Sequence, residues 1–83
     1  MEFIKEENRI YLLDQTGKII AEITFQEIDK GIYNIDHTFV DESLRGQGIS
    51  SKLVEEAVKE IEAKGGKVEA TCSYAKKWIE ERK

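Results

Sequence analysis

The chain has 83 residues, 36% of them charged, and a formal net charge of −4. That is the length of one domain, spanning 1–83, near the size where a single core is only just sufficient. The charge excludes a basic nucleic-acid-binding face, and no apolar run approaches the length of a membrane helix. The apolar residues fall in periodic runs, as in a globular rather than a disordered chain. The opening Met1-Glu2-Phe3-Ile4-Lys5-Glu6-Glu7 lacks both the basic start and the apolar core of an export signal. One cysteine makes no internal disulfide, so the expected compartment is the reducing cytoplasm.

The first half reads as strands. Glu2 to Glu6 is a short candidate and Arg9 to Leu13 a second. Asp14-Gln15-Thr16-Gly17 is a turn signal. Lys18 to Ile28 carries Ala21, Ile23 and Phe25 at period two, so one face is apolar. Asp29-Lys30-Gly31 is another hairpin turn. In Ile32 to Val40, Tyr33, Ile35, His37 and Phe39 alternate with Asn34, Asp36 and Thr38. The pattern predicts a four-stranded antiparallel meander.

From Gln47 the period changes. Ile49, Leu53, Ala57 and Ile61 recur every fourth residue with Val54 and Val58 beside them, one stripe of an amphipathic helix. Glu55 with Lys59 and Glu60 with Lys64 are i,i+4 pairs for its wet side. Gly65-Gly66 ends it, the first in the position of a left-handed cap. Lys67 to Cys72 reads as a fifth strand. It follows a strand and a helix, so a right-handed crossover lays it parallel to the fourth. Ser73 is placed to cap a last helix that turns Tyr74, Ala75, Trp78 and Ile79 inward. The predicted class is α+β.

The junction between the fourth strand and the long helix is the most informative stretch: Leu44-Arg45-Gly46-Gln47-Gly48-Ile49-Ser50. Two glycines let the backbone turn tightly. The amides that follow lack partners within the helix, and its positive end faces them. Such a turn suits phosphate, although two glycines alone are equally a loop that only needs to turn. A phosphate-binding Walker loop fails for want of Gly-Lys-Ser/Thr. A dinucleotide fingerprint would need glycine at Ser51 and far more chain after Glu69. A third pattern, Arg/Gln-X-X-Gly-X-Gly/Ala, fits Arg45 to Ser50 except at the last position.

On that motif and on the order β-β-β-β-α-β-α, the chain resembles the GNAT superfamily of acetyl-CoA-dependent N-acetyltransferases. Within it, the chain is similar to very small single-domain members of a YjdJ/NATD-like group. The residues that carry this are His37-Thr38-Phe39-Val40, Leu44-Arg45-Gly46-Gln47-Gly48-Ile49, Gly65-Gly66 and Cys72-Ser73-Tyr74. The resemblance implies a GNAT-like minimal domain with acetyl-CoA in a cleft where the fourth and fifth strands splay. It implies pyrophosphate on the amides of Arg45, Gly46, Gln47, Gly48, Ile49 and Ser50. Backbone groups of Phe39 and Val40 would hold the pantetheine arm and polarise the thioester carbonyl. Ser50 departs from the family's Gly or Ala, and the two strands that complete a full-size acetyltransferase are lacking.

Cys72 and His37 are the catalytic candidates. Cys72 ends the fifth strand, near the cofactor thiol in this architecture, and its thiolate is suited to accept an acetyl group. The plain alternative is a small buried hydrophobe. His37, the one histidine, shares a face with Tyr33, Ile35 and Phe39 on the alternation. It is either a satisfied core residue or the general base that takes the amine's proton. Two such residues do not make a zinc site. Tyr74 is a further candidate, as the acid that protonates the leaving CoA thiolate, but reads more simply as packing. Trp78 reads as core.

Two functions follow. One is an enzyme that moves acetyl from acetyl-CoA to an amine, a protein lysine or a small amine, with Cys72 as carrier. The other is a CoA- or acyl-CoA-binding module that acts through a partner. Neither involves nucleic acid or membrane. Oligomeric state is not readable from the residues.

Overall fold

A computed structural model describes residues 3–44 and 46–81. Strands β1 (Ile4–Glu6), β2 (Arg9–Leu13), β3 (Ile19–Asp29) and β4 (Ile32–Val40) form the meander. A short 3-10 turn (Glu42–Leu44) leads to helix α1 (Ile49–Ala63), then β5 (Lys67–Ala70) and helix α2 (Ser73–Glu81). The sheet order is β1-β2-β3-β4-β5. Its first three pairings are antiparallel and β4 runs parallel to β5, as the sequence predicts. The first predicted strand begins at Glu2, and the chain closes at Lys83; both residues lie outside the described ones.

The core is one face of this sheet plus the helices laid on it. Ile10 and Leu12 of β2, Ala21, Ile23 and Phe25 of β3 and Ile35 of β4 are buried. Against them α1 sets Leu53, Val54, Ala57, Val58 and Ile61, the predicted stripe with its flanking valines. Each large apolar side chain so buried contributes about 1.5–3 kcal/mol. Ala75 of α2 joins the same core, with Trp78 and Ile79 packed against it. The Trp78 indole N–H donates to Ser51 Oγ at 2.9 Å, tying α2 to the first turn of α1. Among the described residues no helix covers the other face of the sheet.

One irregularity decides where the β4 side chains point. Thr24 pairs with His37 but Phe25 with Ile35, so Asp36 is an extra residue in β4. A bulge of this kind reverses the alternation beyond it. Ile35 shares the core face with Phe25; after the bulge Thr38 stands opposite Ile23, and Val40 opposite Ala21. The alternation in the sequence predicts His37 and Phe39 on the face of Ile35. The structure corrects this: both lie on the uncovered face and are exposed, Phe39 by 40%.

The helix ends follow their glycines. At the α1 C-terminus the Gly65 amide donates to the Glu62 carbonyl and the Gly66 amide to that of Ile61. With Gly65 at φ 77, these are the two bonds of a Schellman cap. Glu55 pairs with Lys59 at 3.4 Å as predicted. Glu60 instead turns to Lys5 of β1 at 3.0 Å, while the Lys64 ammonium stands over the Tyr33 ring at 5.4 Å.

Candidate active site

The bulge also ends the pairing of β4 with β5. The ladder runs from Ile32 opposite Lys67 to Ile35 opposite Ala70. The Ile35 carbonyl then accepts the amides of Thr71 at 3.1 Å and Cys72 at 3.2 Å. Beyond that point residues 37–40 are paired with β3 alone among the described strands. A seam therefore opens between β4 and the chain after β5.

At the far end of this seam lies a cavity of about 380 Å³. Val40 and Leu44 form one side, Gly46, Gly48, Ile49, Ser50 and Ser51 the next, and Tyr74 of α2 the last. Asp41 organises the approach. Its carboxylate accepts the Ser43 amide at 3.1 Å and hydroxyl at 2.7 Å, which starts the 3-10 turn. Buried Leu44 then anchors the turn in the core.

Gly46 (φ 82) and Gly48 (φ 71) both take the left-handed conformation that side-chain-bearing residues avoid. A Cβ at either would meet nothing within 4 Å, so the space above them is open. Gly48 occupies the N-cap of α1, and no side chain caps the helix. The first helical bond is Lys52 amide to Gly48 carbonyl at 3.1 Å. The amides of Ile49, Ser50 and Ser51 thus precede the ladder, with the positive end of the helix dipole behind them. No acidic residue occupies the first turn to oppose an anion. These features fit a phosphate-bearing ligand.

Of the predicted cofactor residues, the cavity gathers Val40, Gly46, Gly48, Ile49 and Ser50. Gln47 is exposed in the same turn, its amide donating to the Leu44 carbonyl at 3.3 Å. The side chain of Phe39 points away. Arg45 lies outside the described residues.

Cys72 is half-buried, and its Sγ stands 3.0 Å from Thr38 Oγ1. The Cys72 carbonyl accepts the Lys76 amide at 2.9 Å, so the residue at the cap of α2 is Cys72 rather than the predicted Ser73. The backbone amides of Ala75 and Tyr74, in the first turn of α2, favour the charged form of its thiol. Burial pushes the Cys72 thiol up, but the Thr38 hydroxyl, these two amides and the Thr38 backbone together outweigh it. The thiol ends below its ordinary range.

His37 does not join this group. Thr38 carries Cys72 on the inner face of β4, and His37 sits on the outer face. Sequence reasoning gave no role to Thr38 or Ser51. Thr38 was legible only as the neighbour of His37, because its contact with Cys72 depends on the bulge.

A family model described as GCN5-related N-acetyl-transferase matches residues 9–83. Among solved structures, a GCN5-like protein of Staphylococcus aureus determined by NMR is 37% identical. The match covers 98% of this chain and 79% of that one, with a TM-score of 0.80. An acetyltransferase of Bacillus cereus is 31% identical over 74% of this chain and 43% of its own, with a TM-score of 0.64. A GNAT-family N-acetyltransferase of Escherichia coli, crystallised with CoA, is 27% identical over 70% of this chain and 35% of its own, with a TM-score of 0.61. This chain thus spans less than half the length of the latter two. No curated protein matches it.

Proposed function

Starting from the GCN5-related N-acetyltransferase family, to which this chain belongs, we propose that it transfers acetyl from acetyl-CoA to an amine through Cys72. In this reading 1–83 is one minimal acetyltransferase domain. The observation that carries it is the pairing of an uncapped, glycine-turned helix N-terminus with the Cys72 thiol, 3.0 Å from Thr38 Oγ1 at the start of the neighbouring helix. Acetyl-CoA supplies the acetyl group as an activated thioester.

The amides of Gly46, Gly48, Ile49 and Ser50 hold the pyrophosphate. Backbone groups of Phe39 and Val40 align the pantetheine arm along β4 and stabilise charge on the carbonyl oxygen. The Cys72 thiolate, steadied by Thr38, attacks the carbonyl carbon. A bond to Cys72 sulfur forms, the bond to CoA sulfur breaks, and CoA leaves as a thiolate. The amine nitrogen then attacks the same carbon, Cys72 departs as thiolate, and the amine's proton passes to solvent.

The test has two arms. Calorimetry of wild type and Gly48→Asp against acetyl-CoA should show binding only in the wild type, since a carboxylate there opposes phosphate. Mass spectrometry after incubation with acetyl-CoA should find one acetyl group on Cys72. Equal affinity in the two proteins would discard the phosphate cradle. If Cys72→Ala acetylates an amine as fast as wild type, the amine attacks the thioester directly. Binding without transfer to any amine would favour the CoA-binding module.

A further inference from the structure

We propose that the outer edge of β5 is a self-association surface, on which a second copy of this chain adds its own β5 antiparallel and continues the sheet. Among the described residues β5 is the last strand of the sheet, paired on its β4 side alone. An edge strand with open backbone groups is a template for another strand. The amides of Lys67 and Thr71 turn inward, to the carbonyls of Gly31 at 2.7 Å and Ile35 at 3.1 Å. Backbone groups alternate along a strand, so those of Val68 and Ala70 face outward. None of these residues takes part in the proposed transfer.

Beside this edge runs a groove of about 260 Å³ between β5 and α2. Val68, Ala70 and Ile79 are its apolar lining, and Glu69, Lys76 and Glu80 its polar one. The three apolar side chains pack against the core but remain partly exposed. A further strand at this edge would cover them. Ala70 stands opposite the core residue Ile35, and Val68 shares its face; Lys67 and Glu69 point to the uncovered face.

Backbone parity and charge select a second copy as the occupant. A twofold axis at Val68 sets that residue opposite its counterpart, each donating its amide to the other's carbonyl. The same register places Lys67 against Glu69 of the other copy, and Glu69 against its Lys67, on the uncovered face. Opposite charges directly across a strand pair stabilise it and like charges destabilise it. An axis at Glu69 would keep the outward hydrogen bonds, between Val68 and Ala70, but would set two carboxylates face to face. Lys76 and Glu80, one turn apart on α2, repeat the order of a cation before an acid, so the reversed copy again presents the opposite sign. Among the described residues none of these four side chains has an ion-pair partner. At the other edge of the sheet Lys5 of β1 is held by Glu56 and Glu60, and Glu6 by Arg9. Charge on an edge commonly keeps other strands away, but unlike charges two residues apart admit the strand's own reverse.

Sedimentation equilibrium of the full chain tests this. The average mass should rise from one chain toward two with concentration, half-associated at about 100 μM, as for a small interface. Glu69→Lys sets lysine against lysine in both symmetric pairs and should weaken association about tenfold. Lys67→Glu combined with Glu69→Lys exchanges the signs and should restore wild-type association. Both side chains are exposed, so thermal midpoints at low concentration should stay level across the three proteins. Amide exchange locates the contact. Val68 and Ala70 should gain protection on concentration, while Lys67 and Thr71, already bonded to carbonyls on the β4 side, should not. A single-chain mass that persists at millimolar concentration would overturn the proposal. So would association that Glu69→Lys leaves unchanged, since this edge is then not the interface. A Glu69→Lys defect that the double change does not repair would also overturn it, since Lys67 is then not the partner.

Discussion

Cys72 combines two positions that the sequence presents separately. It ends the segment after β5, and its carbonyl takes the first bond of α2, so the sulfur that lies by the seam sits at the helix N-terminus. Serine is the better capping residue by type, which is why Ser73 is the natural expectation; the strand stops at Ala70, and the cap falls one residue earlier. The Thr38 hydroxyl and the amides of that terminus favour the thiolate, so alkylation of Cys72 by iodoacetamide should reach half its maximal rate at a pH below that of an ordinary thiol. Thr38→Val removes a donor to the charged form. The midpoint should then move up. An unmoved midpoint would mean that the helix cap alone holds the thiol down, and that the 3.0 Å contact with Thr38 is incidental.

Among the elements, α1 is legible almost to the residue because glycines mark both ends: Gly48 at its cap and Gly65-Gly66 after it. The parallel placement of β5 is legible too, from the strand-helix-strand order. The bulge in β4 is not, since Asp36 and His37 fit an unbroken alternation and only pairing with β3 reveals the extra residue. That single feature separates His37 from Cys72 and brings Thr38 to the thiol, so the cradle was readable and the chemistry beside it was only half so. Gly66 is a second case of hidden dependence. A Cβ there would lie 2.9 Å from the Tyr33 ring and 3.1 Å from Ile61 Cγ2. Gly66→Ala should therefore destabilise by about 1–3 kcal/mol through overpacking, seen as a lower thermal midpoint. Adding Tyr33→Ala should recover part of that loss relative to Tyr33→Ala alone. Strict additivity of the two changes would place the cost elsewhere than in this contact.

At the scale of the whole molecule, the sheet divides the labour. Its covered face supplies the core and the cavity at the α1 N-terminus, and its open face supplies polar groups such as Asp36. With so small a core, stability leans on carboxylates that order the connections. Asp14 accepts the Thr16 hydroxyl and the amides of Lys18 and Thr16 in the β2–β3 turn, and the Thr16 hydroxyl most of all holds it below the ordinary carboxylate range. The Ser43 hydroxyl, then its amide, do the same for Asp41 beside the cavity. A carboxylate whose pKa is depressed in the folded state contributes stability above its unfolded pKa. It loses that contribution as the pH falls through the folded value. The urea midpoint of the wild type should therefore drop as solutions are acidified below the ordinary carboxylate range. A variant with Asp14→Asn and Asp41→Asn should be less stable at neutral pH but should lose less on acidification, because neither side chain titrates. The two curves should converge in acid. If they run parallel instead, the acid sensitivity of this protein resides in other carboxylates, and neither turn is held by the charge of its aspartate.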